Sequence, residues 1–135
     1  MPEASLYERV GGMPYFERLV DRFYEGIRQD PVVGPMYEAD PGDPDLSGPR
    51  RRLTLFLVQY WGGPTTYLAE RGHPRLRSRH FPFPIGAAAR DHWLLHMRAA
   101  IDASGAAEAE RAELNEYMTQ AAEAMRNIGE AAADG

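Results

Sequence analysis

The amino-acid sequence lacks two residue types, and their absence limits what the protein can do. None of its 135 residues is cysteine, which excludes disulfide bonds, thiolate metal sites and cysteine nucleophiles. None is lysine, so all fifteen basic residues are arginines. Arginine favours bidentate binding of anions wherever several of its side chains converge. No apolar run is long enough to cross a bilayer, and the first ten residues, MPEASLYERV, lack the pattern of a signal peptide. We therefore expect a cytoplasmic protein without a membrane partner.

The charge balance argues against nucleic acid as a partner. The net charge is -5, whereas domains dedicated to nucleic acid are normally basic. Within this acidic chain, the segment RGHPRLRSRHFPF at positions 71–83 nevertheless holds four arginines and two histidines, and no carboxylate. Three interpretations are open: a nucleic-acid patch, a solvated helix face, or a clamp for an anionic ligand that carries a metal.

Apolar residues recur every three or four positions along most of the chain, which predicts an all-helical protein. A length of 135 residues fits one domain with one core. We expect that core to span about residues 5–128 and the tail, 129–135, to fray. The predicted long helices cover about residues 14–27, 50–61, 87–103 and 107–128. Prolines at positions 64, 74, 82 and 84 allow only short helical pieces between the second and third of these helices.

Several residues indicate where helices begin and end. Ser5 and Glu8 fit a capping box before a short first helix, which the glycine pair at 11–12 should end. Asp30 should cap a short turn that leads to Tyr37. The loop over 38–48 should end at Ser47, which we expect to cap the helix that follows.

The basic segment contains a pattern typical of a metal-bearing apolar ligand. Leu76 and His80 lie four residues apart, so they share one face of a short helix. The leucine could pack on a flat ligand while the imidazole binds its metal, and Arg75 and Arg79 could reach carboxylates at its edge. Heme has these features: an apolar plate, an iron that takes an axial imidazole, and two propionates. The alternative is a histidine that binds no ligand, on the surface or in the core.

Three polar aromatic residues, Tyr24, Tyr37 and Trp93, lie on otherwise apolar stripes. Buried tyrosine and tryptophan need partners for their O–H and N–H groups. They are either core aromatics that bond backbone carbonyls, or donors that converge on a small polar guest such as dioxygen.

Five motifs taken together resemble those of the truncated hemoglobins, in particular the group (group II) with a tryptophan on the helix after the heme-ligating histidine. The motifs are VGG (10–12), RFYEGI (22–27), FLVQYWGGP (56–64), RGHPRLRSRH (71–80) and DHW (91–93). They follow the order and spacing of that family, and the resemblance extends from Leu6 to about Ile128. It implies a shortened globin fold, a two-over-two helical sandwich around heme b.

The resemblance also implies roles for individual residues. His80 matches the proximal iron ligand, and Tyr24, Tyr37 and Trp93 match the distal residues that contact the bound ligand. Pro49 takes the position of the distal histidine of longer globins and offers no donor. The residues that match heme-lining or heme-edge positions are Arg52, Leu53, Phe56, Leu57, Tyr67, Leu76, Arg79, Trp93 and Tyr117.

The function implied is reversible binding of dioxygen and other diatomic ligands. The alternative is a heme redox enzyme, of the peroxidase type or one that detoxifies nitric oxide, which would need an external reductant. A third interpretation is a helical interaction domain without heme. An unidentified reductase and a second copy of the chain, in a homodimer, are further candidate partners.

Overall fold

The computed structural model describes residues 4–37 and 41–128, and all regular structure within these ranges is helical. A 3-10 helix, Gly34–Tyr37, lies between the second and third α-helices. The α-helices are α1 (Leu6–Val10), α2 (Met13–Gln29), α3 (Ser47–Tyr60), α4 (Thr66–Arg71), α5 (Leu76–His80), α6 (Ala87–Asp102) and α7 (Glu108–Ala124). The all-helical prediction is confirmed.

The four long helices form the sandwich that the resemblance implied. Helix α2 packs against both α3 and α6, and α6 packs against α7, so one pair of helices lies over the other. The apolar stripes meet between the two pairs, where burial of apolar surface is the main favourable term in folding. The largest fully buried side chains are Phe16, Phe23, Leu19, Ile27, Leu57, Met97, Ile101, Leu114 and Met118.

The start of the chain follows the local signals in the sequence. The hydroxyl of Ser5 accepts a hydrogen bond from the backbone N–H of Glu8 at 3.2 Å, as a capping serine does. Gly11 caps the end of α1, and its φ of 107° lies in the left-handed region that a side chain disfavours. Pro14 lies in the first turn of α2, where its missing N–H costs nothing.

The predicted Ser47 cap is wrong, because Asp43 takes that role. Helix α3 already begins at Ser47, and the residue before it, Leu46, has no side-chain acceptor and adopts a left-handed φ of 57°. The carboxylate of Asp43 accepts from the backbone N–H groups of Ser47, at 2.8 Å, and Gly48, at 2.9 Å. A carboxylate is favoured there because the amino end of a helix is positive.

The last helix is shorter than predicted. Helix α7 ends at Ala124 rather than near residue 128, because Asn127 leaves the helix and bonds to the loop before α6. The tail predicted to fray, 129–135, lies outside the described residues, as do positions 38–40 of the predicted loop. Across the ranges described, no helix is long and apolar enough to span a membrane.

Candidate functional site

His80 is the last residue of α5, and a backbone carbonyl fixes its ring. Its Nδ1 lies 2.7 Å from the carbonyl oxygen of Leu76, one helical turn earlier. Because a carbonyl only accepts, Nδ1 carries the proton, and the neutral ring then has its lone pair on Nε2. Within residues 4–37 and 41–128, no polar group pairs with Nε2. An imidazole held in one orientation by its other nitrogen is the usual form of a metal-ligating histidine.

The short helix α5 is fastened to the loop before it. Arg75, its N-cap, has a left-handed φ of 46°, a conformation that costs a non-glycine residue about 1 kcal/mol. Its backbone N–H donates to Nδ1 of His73 at 3.1 Å. The guanidinium of Arg79 donates from Nε to the carbonyl of Pro74, at 2.6 Å, and from Nη2 to that of Arg71, at 3.1 Å. Its remaining N–H groups can reach a carboxylate.

The loop that follows His80 is held by Asn127, which the sequence analysis missed. The side-chain amide of Asn127 donates to the carbonyls of Phe83, at 2.7 Å, and His80, at 3.3 Å. Its oxygen accepts from the backbone N–H of Ile85 at 2.8 Å. No local pattern signals this role, because an asparagine beyond a helix end is common.

The three predicted distal residues come together from three elements. Tyr24 of α2 is 3% exposed, and its ring meets that of Tyr37 edge-on, with centroids 5.5 Å apart. The indole of Trp93, on α6, lies close enough to the hydroxyl of Tyr37 to oppose the rise of its pKa. Phe23 packs against the indole with centroids 5.2 Å apart. Tyr37 therefore links Tyr24 to Trp93.

Both tyrosine hydroxyls of this group stay protonated at neutral pH. Burial raises the pKa of Tyr24 strongly, and the neighbouring Tyr37 raises it further, against a smaller opposite effect of Arg52 and Arg50. Burial also raises the pKa of Tyr37, against a smaller opposite effect of the nearby indole of Trp93. Protonated hydroxyls can donate hydrogen bonds to a guest.

The predicted heme-lining residues of α3 occupy two environments. Leu53 and Phe56 are half-buried, whereas Leu57 is 1% exposed and belongs to the core between the helices. Pro49 is half-buried as the third residue of α3, where a proline fits. Arg52 is exposed, and none of the described carboxylates lies within ion-pair distance of it.

Two further predicted lining residues contact the side chains of α3. Tyr67 of α4 is buried, and its ring lies edge-on to that of Phe56 with centroids 5.8 Å apart. Tyr117 of α7 instead packs against Tyr60, with centroids 4.1 Å apart. These rings join α3, α4 and α7 into an apolar wall.

Arg50 is a second residue that the sequence analysis missed. It makes ion pairs at 3.1 Å with both Asp21 and Glu25 of α2. Its guanidinium carbon also lies 5.6 Å from the centre of the Tyr24 ring, within the range of a cation–π contact. Arg50 therefore ties the start of α3 to the distal tyrosine.

The residues present fit a heme group. Among the described residues, five large apolar side chains are exposed, and four of them lie on α3, on α4 and in the loop after α5: Tyr60, Leu68, Phe81 and Phe83. The candidate lining residues lie on or next to these elements. Nε2 of His80 could bind the iron, and the guanidinium groups of Arg52 and Arg79 could pair with the propionates. A sandwich of two helix pairs with these features is a globin fold in its shortened, two-over-two form.

The chain belongs to the bacterial-like globin family, whose sequence model matches residues 5–127. It is 41% identical over 99 residues to the group 2 truncated hemoglobin YjbI of Bacillus subtilis, a match that covers 73% of this chain and 70% of that protein. A solved structure of a thermostable hemoglobin from Thermobifida fusca is similar with a TM-score of 0.87 and 53% identity, over 93% of this chain and 98% of the other. A truncated oxygen-avid hemoglobin from Bacillus subtilis has a TM-score of 0.82 and 38% identity, over 92% and 100%.

These comparisons confirm the resemblance to group II truncated hemoglobins and the fold class. Membership of the family implies a heme cofactor and binding of diatomic ligands.

Proposed function

We propose that this protein binds dioxygen reversibly at heme b, with His80 as the axial ligand and Tyr24, Tyr37 and Trp93 as distal donors. The observation that carries the proposal is the bond of 2.7 Å between Nδ1 of His80 and the carbonyl of Leu76. This bond fixes the direction of the ring and leaves the lone pair of Nε2 available, as binding of a metal requires.

On the proximal side, the chain supplies orientation and apolar packing. Heme supplies the ferrous iron to which the diatomic ligand binds. Leu76, one turn before His80, would pack against the heme, while Leu53 and Phe56 of α3 would add half-buried apolar surface. Arg79 and Arg52 would hold the propionates with charge-assisted hydrogen bonds.

On the distal side, the chain supplies hydrogen-bond donors in a largely buried setting. Dioxygen gains partial negative charge when it binds, whereas carbon monoxide stays nearly neutral. Protonated tyrosine hydroxyls and an indole N–H therefore stabilise dioxygen more than carbon monoxide. The description of the Bacillus subtilis relative as oxygen-avid agrees with this arrangement.

Reversible binding is tested by spectroscopy of the protein after reconstitution with hemin and reduction. We expect a ferrous spectrum that changes on addition of dioxygen and returns under argon over several cycles. Protein that shows no Soret band after hemin addition would contradict heme binding. Iron that turns ferric at each addition of dioxygen would instead favour the redox alternative, in which an external reductant restores the ferrous state.

A further inference from the structure

A carboxylate and two imidazoles form a cluster at the end of α2 that the proposed function leaves unused. Asp30, the C-cap of α2, is 8% exposed. Its Oδ1 accepts from the backbone N–H groups of Val32, at 2.7 Å, and Val33, at 3.1 Å. Its Oδ2 accepts from His92 at 3.0 Å and from His96 at 2.7 Å. Four donors therefore converge on one buried side chain.

The cluster requires different protonation sites on its two histidines. A carboxylate oxygen only accepts, so His92 must carry a proton on Nδ1 and His96 must carry one on Nε2. Burial raises the pKa of Asp30, but the hydrogen bonds from His96, His92 and the two backbone amides lower it more, so the carboxyl is ionised. Hydrogen bonds to an ionised acceptor are about twice as strong as neutral ones.

The glycine at position 26 allows this contact between α2 and α6. A Cβ atom on Gly26 would lie 2.4 Å from Nδ1 of His96, closer than side chains tolerate. Its absence lets the imidazole lie directly against the backbone of α2. The approach of the two helices at this point therefore depends on a hydrogen bond and on a missing side chain.

The cluster joins the three elements that bring the distal donors together. Tyr24 lies on α2, six residues before Asp30 in the sequence. The backbone carbonyl of Asp30 accepts from the N–H of Gly34, at 2.8 Å, where the 3-10 helix that carries Tyr37 begins. Trp93 is the residue directly after His92 on α6.

We propose that Asp30, His92 and His96 are positioning residues that set the contact between Trp93 and Tyr37, and thereby the strength of the distal hydrogen bonds. The cluster would act through the backbone of α6 and of the 3-10 helix rather than by direct contact with the bound ligand. The proposal rests on the distal roles proposed above. Loss of one hydrogen bond would let α6 and the 3-10 helix move apart by a fraction of an ångström, enough to misalign a donor.

The test uses the heme-bound protein in its carbon monoxide form, which is diamagnetic. Two readouts report on the distal site: the C–O stretching frequency, which follows the field of nearby donors, and the indole N–H resonance of Trp93. We expect Asp30→Asn, His92→Leu and His96→Leu to shift both readouts and to speed dioxygen release by about fivefold. Asp45→Asn, in the exposed loop before α3, should match the wild type on both readouts.

Rescue variants separate positioning from general loss of stability. Asparagine can place its amide donor near Nδ1 of a histidine, and glutamine can place its donor near Nε2. We therefore expect His92→Asn and His96→Gln to restore the wild-type frequency and indole resonance, even if the leucine variants fold poorly. If both rescue variants behave like the leucine variants, the hydrogen bonds to Asp30 are not what positions Trp93, and the proposal is overturned.

Trp93→Phe distinguishes this inference from the proposed function. If Trp93→Phe changes the C–O frequency and dioxygen release but Asp30→Asn changes neither, the positioning proposal fails while the distal donors stand. If Trp93→Phe changes neither, the distal hydrogen-bond proposal fails. A shifted Trp93 resonance in Asp30→Asn would then still support positioning, and an unshifted one would overturn it.

Discussion

Asn127 donates a side-chain hydrogen bond to the backbone carbonyl of His80, at 3.3 Å, although the two residues lie 47 positions apart in the sequence. The same amide group donates to the carbonyl of Phe83 at 2.7 Å, and its oxygen accepts from Ile85 at 2.8 Å. The segment after α7 therefore holds the loop that follows the candidate iron ligand. The backbone of His80 is fixed by this contact as well as by α5 itself.

Asn127→Ala should loosen both heme and the fold. Three side-chain hydrogen bonds disappear, of which two are partly buried, and such a bond typically contributes about 1 kcal/mol. We expect urea unfolding to show a loss of about 1–3 kcal/mol and heme transfer to an apo-globin acceptor to become faster. Gln120→Ala, which removes an amide from an exposed position of α7, should change neither. Unchanged heme transfer in Asn127→Ala would mean that the loop holds His80 without Asn127.

His80→Gly should greatly weaken heme retention, because no other histidine lies on that face of α5. His92 and His96 are engaged with Asp30, and His73 lies in the loop before α5. We expect added imidazole to restore an axial ligand and with it the ferrous absorption spectrum. His73→Ala, which keeps His80, should retain heme. A normal five-coordinate ferrous spectrum of His80→Gly without imidazole would contradict the assignment.

The sequence predicts the parts of this site that depend on local spacing. Leu76 and His80 are four residues apart, so their shared helix face and the Nδ1 contact follow from helix geometry. The cap at Ser5 also depends only on neighbouring residues, because its hydroxyl bonds the backbone N–H of Glu8 three positions later. The cap of α3 was predicted wrongly although Asp43 is also close in sequence. The loop before α3 folds back, so the carboxylate of Asp43 reaches the backbone N–H of Ser47 from four residues away. Helix-capping patterns place the capping side chain on the residue directly before the helix.

The supporting contacts are not predictable in this way. Asp30 meets His92 and His96 across 62 and 66 positions of sequence. Which helix face meets which depends on packing of the whole sandwich, and helix periodicity does not specify it. Asn127 and Arg50 are missed for the same reason. Local pattern therefore predicts the candidate ligands, and the tertiary structure reveals what orients them.

Arg79→Gln should release heme moderately faster than the wild type. Nε and Nη2 of Arg79 bond backbone carbonyls, so only its remaining N–H groups are available for a propionate. A partly exposed ion pair contributes about 1 kcal/mol or less, so we expect heme transfer to accelerate by about fivefold at most. Arg77→Gln, on the exposed side of α5, should match the wild type. Equal rates of heme transfer in all three proteins would mean that Arg79 bonds only backbone carbonyls and does not hold heme.

The ionised carboxyl of Asp30 predicts a loss of stability in acid. Its pKa in the folded protein is lowered below the usual value of about 3.9. A carboxyl with a depressed folded pKa contributes its full stabilisation above the unfolded pKa, and this is lost as the pH falls through the folded one. We expect the free energy of unfolding of the heme-bound protein, measured in urea, to fall below about pH 4.

Asp30→Asn isolates this contribution, because asparagine does not ionise. The variant should be less stable than the wild type near neutral pH and should lose less stability on acidification. Asp45→Asn, which removes an exposed carboxyl, should leave the acid dependence almost unchanged. Parallel pH profiles for Asp30→Asn and the wild type would show that Asp30 is not the group that titrates.

Trp93→Phe should speed dioxygen release more than carbon monoxide release. The indole N–H cannot accept a hydrogen bond and needs no rotation of a hydroxyl, so it is the most rigid of the three donors. A hydrogen bond to a charged acceptor is worth about 1.5–3 kcal/mol, which corresponds to roughly ten- to a hundredfold slower escape. We therefore expect dioxygen dissociation, measured by stopped flow, to accelerate by at least about tenfold. Carbon monoxide should respond less because it gains little charge.

The contact between Trp93 and Tyr37 makes a double-mutant cycle necessary. The indole lies close to the Tyr37 hydroxyl, and Tyr37 packs edge-on against Tyr24, so removal of Trp93 leaves both tyrosines free to reorient. Tyr24→Phe combined with Trp93→Phe should release dioxygen faster than either single variant, with a coupling energy that measures this compensation. If Trp93→Phe speeds the release of dioxygen and of carbon monoxide equally, Trp93 acts as a steric gate. The size of a side chain affects the escape of both ligands alike. An unchanged rate for dioxygen in the single and double variants would exclude hydrogen bonding by these side chains.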